Sequence, residues 1–118
     1  MPTGASTLSP EAVVQRQLEA YNARDLARFL AEYSDEIRAY RPPAVEPTMI
    51  GKEAFGRFYA TQRFNHAGLR AELVNRIVMG NKVVDHERIS GVGAESLEAA
   101  IVYEVVDGLI HRTWAFST

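Results

Sequence analysis

The side chains in this chain that could move a proton or hold an anion are few, and most lie beyond residue 70. There is no cysteine and there are only three histidines among 118 residues, so acid–base work falls to imidazoles and carboxylates. Asp107-Gly108 separates two β-rich runs, Leu97–Val106 and Leu109–Ser117, and is a strong signal for a two-residue hairpin turn. Closing the hairpin there sets Glu104 opposite His111, Val102 opposite Thr113 and Ala100 opposite Ala115. A carboxylate in that position orients one imidazole nitrogen and leaves the other as a base or donor near neutral pH. A structural ion pair is the competing reading.

Gly80-Asn81 closes an earlier hairpin between Leu69–Met79 and Lys82–Gly91, pairing Asn75 with His86 and Leu73 with Arg88 on one surface. The other surface sets Arg76 against Asp85, near Glu72 and Glu87, and reads as a solvated salt-bridge ladder. That turns Asn75, His86 and Arg88 toward the rest of the chain. His86 with Asn75 can bind a ligand carbonyl or stand as a hydrogen-bonded core histidine. An inward Arg88 needs an anionic partner, Glu104 or a ligand carboxylate. Arg41, followed by prolines, is a rim residue that either guides an anion or is simply solvated. His66, His86 and His111 are far apart, and Asp85-His86-Glu87 alternates across its strand, so neither a metal nor another cofactor is expected.

The elements that must position these groups change character midway. Residues 1–8 are small and polar and read as a frayed tail, with one domain over residues 9–118. Ser9-Pro10-Glu11 starts a helix whose Val14, Leu18 and Tyr21 share a face. Asp25 caps a shorter helix carrying Leu26, Phe29, Leu30 and Tyr33, and Asp35 to Tyr40 reads as a first strand. Pro42, Pro43 and Pro47 make Arg41 to Ile50 irregular, and a third helix is expected from about Gly51 to Phe64. From Leu69 the apolar period drops to two. Helices first and long antiparallel strands after them make an α+β domain, with the helices covering one face of a curved sheet.

The composition is that of an ordinary globular protein: 47% hydrophobic, 24% charged, with a net charge of −2. No basic stripe is available to neutralise phosphates, which argues against nucleic acid. The longest apolar run, Ala99 to Tyr103, is too short to span a bilayer, and the start lacks the pattern of a signal peptide, so a cytoplasmic protein without membrane contact is expected. Gly91-Val92-Gly93 precedes no helix and is not a nucleotide loop.

The segments Val14-Gln15-Arg16, Asn22-Ala23-Arg24-Asp25-Leu26, Gly51-Lys52-Glu53-Ala54-Phe55, Phe58-Tyr59-Ala60 and Val106-Asp107-Gly108-Leu109-Ile110 resemble the nuclear-transport-factor-2-like superfamily, which includes ketosteroid isomerase, limonene epoxide hydrolase and polyketide cyclases. The resemblance covers residues 9–117 and implies a cone: three N-terminal helices on a strongly curved antiparallel or mixed sheet, with an internal pocket for a small molecule. It also implies a homodimer through the outer sheet face, where the stripe of Trp114, Ile101 and Phe116 would be buried. Similarity to ketosteroid isomerase implies an oxyanion-donating tyrosine at Gln17, a proton-shuttling aspartate at Arg41 and a protonated aspartate near Val102. Only the supporting tyrosine survives, as Tyr59. Without those groups steroid isomerisation is rejected. Similarity to the epoxide hydrolase retains its arginine at Arg88 but places Ser90 and Ala115 where its aspartates belong.

The expectation is therefore a pocket whose acid–base pair is His111 and Glu104, with Arg88, His86, Asn75, Tyr59, Gln17 and Val102 binding the ligand. Two functions fit. One is an enzyme of isomerase, cyclase or hydrolase type acting on a small, partly apolar carbonyl or anionic compound. The other is a ligand-binding or accessory domain that performs no chemistry.

Overall fold

The structure is a computed structural model that describes residues 8–118. Of the eight residues expected to fray, the first seven lie outside the described residues. Ser9 caps α1 (Pro10–Asn22): its hydroxyl accepts from the Ala12 N–H at 3.1 Å, and Pro10 takes the first turn, where no N–H is required. Val14, Leu18 and Tyr21 are buried along one face of α1, together with Val13, Gln17 and Ala20. Its last residue is docked onto the sheet, because the Asn22 side chain accepts from the Ala71 N–H at 2.8 Å and donates to the Ala71 carbonyl at 3.0 Å. Asp25 caps α2 (Leu26–Leu30) by accepting from the Arg28 N–H at 3.1 Å.

Tyr33, expected on the apolar face of that helix, instead opens β1 (Tyr33–Tyr40). The proline-rich stretch holds a short β2 (Met49–Ile50) and leads into α3 (Lys52–Gln62). Four long strands follow: β3 (Arg70–Met79), β4 (Lys82–Ser90), β5 (Leu97–Val106) and β6 (Leu109–Ser117). They form one six-stranded sheet in the order β2-β1-β6-β5-β4-β3, antiparallel except where β1 runs parallel to β6. The sheet curls over the helices without closing, an α+β cone. Phe29 sits at the centre of the packing, its ring centroid between 4.8 and 6.1 Å from those of Tyr21, Tyr33, Phe55, Tyr59 and Phe64. Among the described residues no helix is long and apolar enough to cross a membrane.

Two bulges decide which side chains face the helices. The Asp107-Gly108 turn forms as expected: both residues have positive φ, 52° and 79°, and Val106 and Val105 pair with Leu109 and Ile110. The ladder then slips by one residue. Glu104 pairs with Arg112, Tyr103 with Thr113 and Ile101 with Ala115, leaving His111 as the extra residue of a β-bulge. Because strand side chains alternate, the slip breaks the expected pairing of Glu104 with His111. Tyr103, Ile101 and Ala99 face the helices, while Glu104, Val102 and Ala100 face outward. The outer stripe consequently keeps Trp114, stacked on Tyr40 with centroids 5.6 Å apart, and Phe116, but loses Ile101 to the interior.

In the other hairpin the expected pairs Asn75–His86 and Arg76–Asp85 form, and Val74 is the extra residue beyond them. Here the facing is the reverse of that expected. Val83, Asp85, Glu87 and Ile89 are buried against the helices, and Asn75, His86 and Arg88 point away. Of the supposed solvated ladder only Glu72 is exposed; Asp85 and Glu87 are buried, and Arg76 grips Asp85 with both ends of its fork, at 2.7 and 3.0 Å. α1 completes the arrangement: Gln15 accepts from Arg76 at 3.0 Å, and Glu11 lies 3.8 Å away. A paired charge can be buried at this cost; a lone one would not be.

Candidate functional site

Between α1, the end of β1, the end of α3 and the inner faces of β4, β5 and β6 lies a cavity of about 90 Å³. Since roughly 10–15 Å³ of such volume admits one water, it can hold a small organic molecule or a cluster of waters. Its walls are mostly aromatic and aliphatic: Leu18, Phe29, Ile89, Leu97 and Ile101, with the rings of Tyr21, Tyr33, Tyr59 and Tyr103. Into this apolar space projects one carboxylate, Glu87, from the middle of β4.

Glu87 is 4% exposed, and its Oε2 is fully buried with no hydrogen-bond partner. Burial, with the negative charge of Asp85 two residues away adding to it, pushes its carboxyl up to about 7. Arg76 opposes this shift but is committed to Asp85. A carboxyl that titrates near neutrality can both take and return a proton at physiological pH.

The tyrosines serve differently. Burial pushes the Tyr59 hydroxyl up to about 12 and raises Tyr21, Tyr33 and Tyr103 well above the ordinary tyrosine value as well, so all four remain protonated. Two of them are fixed by Gln17: Tyr33 donates to its Oε1 at 3.0 Å, and its Nε2 donates to the Tyr103 hydroxyl at 3.2 Å. Tyr103 thus accepts from Gln17 and keeps its own proton to donate within the cavity.

Of the residues expected at the site, Gln17 and Tyr59 line this cavity. The other six do not. Glu104 lies on the far face of the sheet, 3.5 Å from Arg112 and 3.4 Å from Lys82. His111, displaced by its bulge, borders an open groove with Asp35, Arg38 and Arg112. His86 pairs with Glu98 at 2.5 Å and Arg88 with Glu72 at 3.1 Å, both on the outer face, where Asn75 is exposed and Val102 also points outward. Sequence reasoning missed Glu87 and Tyr103. A signal was present for the first: Val83 and Ile89 share the parity of Asp85 and Glu87, and two β-branched residues bracketing two acids on one face mark that face as a buried one.

The comparisons with known proteins agree with this architecture. The family described as a SnoaL-like domain matches residues 14–113. No curated protein matches the sequence. Among solved structures, a candidate ketosteroid isomerase from Kribbella flavida is 21% identical, with 92% of this chain and 77% of that one covered and a TM-score of 0.81. An uncharacterised cystatin-fold protein from Novosphingobium aromaticivorans is 17% identical over 92% of this chain and 98% of its own, with a TM-score of 0.83. A candidate polyketide cyclase from Sinorhizobium meliloti is 17% identical over 89% and 94%, with a TM-score of 0.77. At these identities the likeness is one of fold.

Proposed function

Since the chain belongs to the SnoaL-like domain family, a fold that hosts many chemistries, we propose that its activity is proton transfer by Glu87 on a small, partly apolar carbonyl compound. The ionised carboxylate takes a proton from the carbon beside the carbonyl. The C–H electron pair becomes the new C=C bond, and the carbonyl pair moves onto oxygen. The Tyr103 hydroxyl, held by Gln17, donates a hydrogen bond to that oxygen as its charge develops. Where the substrate carries a double bond one carbon further on, the carbonyl re-forms and Glu87, now protonated, returns the proton to the far carbon of the dienolate, an isomerase-type outcome. Where the enolate carbon instead attacks a second carbonyl carbon, that C=O pair moves onto its oxygen and takes the proton, a cyclase-type outcome. The observation that carries this reading is the buried Glu87 carboxyl, whose Oε2 has no hydrogen-bond partner, facing an aromatic cavity. A buried acid with no partner is costly to keep, and catalytic sites are where such costs are found.

Hydrogen–deuterium exchange at the carbons flanking the carbonyl of small ketones, followed by NMR, tests it. The protein should accelerate exchange, with a rate that rises with pH through about 7 as Glu87 ionises. Glu87→Gln should lose about 10²–10⁴-fold of the acceleration. Tyr103→Phe should lose about 10²–10³-fold. Ketones that bind with no exchange above background would instead favour a binding domain without chemistry.

A further inference from the structure

Two guanidinium groups line the same cavity. Arg41, just after β1, is exposed on the rim, and Arg63, at the end of α3, is half-buried. Arg63 donates to the Gln62 carbonyl at 3.0 Å, its Cζ lies 5.3 Å from the centroid of the Phe58 ring, and it also acts on the Tyr21 hydroxyl, so its partners are neutral groups that leave its charge uncompensated. Among the described residues neither arginine has a carboxylate partner, and of the unpaired arginines these two are the ones that line the cavity. Glu87, the only carboxylate among the described residues that line the cavity, does not serve them: the charges acting on it come from Asp85 and Arg76. Both arginines instead act on the Tyr59 hydroxyl, as Glu87 also does. The cavity therefore has a positive end and a carboxyl-bearing end, with Tyr59 within electrostatic reach of both and apolar rings around them.

An arginine fork matches a carboxylate in shape and charge, and the half-buried Arg63, with Arg41 on the rim, gains from an anion what a neutral ligand cannot supply. We infer that the cavity takes small organic carboxylates, the anionic head held by Arg41 and Arg63 and the apolar body extending toward Glu87. This rests on the proton-transfer reading for what Glu87 does to the substrate, and it narrows that substrate to a carbonyl compound bearing a carboxylate. Two like negative charges would meet if Glu87 were ionised beside the acid itself, so separate ends are what permit both groups to work.

Calorimetric titration with phenylacetate against phenylacetamide, and with benzoate against benzamide, compares ligands of matched shape that differ in charge. At about pH 6, where Glu87 is neutral, each acid should bind about tenfold tighter than its amide. The preference should fall to about twofold or less in the Arg41→Gln/Arg63→Gln double variant, and should persist in Glu87→Gln. Equal affinity for acid and amide, no binding of either acid up to about 10 mM, or a preference that survives in the folded double variant would overturn the inference. Should circular dichroism show the double variant unfolded, Arg41→Gln alone, at an exposed position, carries the same comparison. Because binding rather than exchange is read, a protein that prefers acids yet catalyses no exchange refutes only the proton-transfer reading. One that exchanges ketones with no preference for acids refutes only the carboxylate assignment.

Discussion

The two faces of the sheet carry the same kinds of side chain and put them to opposite uses. On the outer face the ionisable residues of β4 and β5 pair where water reaches them: His86 with Glu98, Arg88 with Glu72, and Glu104 with Arg112 and Lys82. On the inner face, β4 presents two acids two residues apart. Asp85 is fully buried and gripped by Arg76, whereas Glu87 is nearly as buried and its Oε2 has no hydrogen-bond partner. Pairing in solvent leaves charges cheap and chemically quiet. Pairing in the interior makes Asp85 a structural anchor between α1 and the sheet. Burial without a partner leaves Glu87 with a carboxyl poised to exchange protons.

Substitutions can break this contrast at each level. The largest effect is expected from Arg76→Ala, which strands the Asp85 charge in the interior; urea unfolding should show a loss of about 3–5 kcal/mol. The next concerns Glu87. Its carboxyl titrates near 7 in the folded chain and near 4.5 when unfolded, so between those values the folded state binds the extra proton. Its stabilising contribution is complete below about pH 4.5 and is lost as the pH rises through about 7, a swing of up to about 3 kcal/mol. Glu87→Gln should flatten that dependence, making the variant the more stable protein at alkaline pH in the same unfolding assay. The smallest effect belongs to the outer face. Arg88 and Glu72 have side chains 46% and 63% exposed, and Arg88→Ala should cost less than about 1 kcal/mol, falling toward nothing as salt is added. A loss at Arg88 rivalling that at Arg76 would erase the distinction between the two faces.

Most of the scaffold was legible in the chain. Ser9-Pro10 and Asp25 start their helices through the capping bonds that their side chains are built to make, and Asp107-Gly108 supplies the two positive φ angles of its hairpin turn. The family resemblance also pointed to the cone and its pocket. The candidate site was much less legible. Gln17 and Tyr59 were singled out as positions inherited from a related enzyme, and they do line the cavity, but Glu87 and Tyr103 were not anticipated. Tyr103 was hidden by a single bulged residue, His111, since a turn fixes register only as far as the ladder stays regular. Glu87 was hidden by its neighbours, because Glu72, Arg76, Asp85 and Glu87 look from their composition like a surface ladder.

The sequence by itself determined the local events: where helices begin, where hairpins turn, and which segments alternate. Those depend on contacts within a few residues, and the residue types present there suffice to specify them. Only the tertiary structure decided which face of each strand is inside. That choice was made by α1 bringing Gln15 and Glu11 to Arg76, and by bulges that no local propensity announces. A one-residue change of phase costs the backbone little but exchanges every side chain between water and the interior. The acid that matters was therefore settled by packing across the fold.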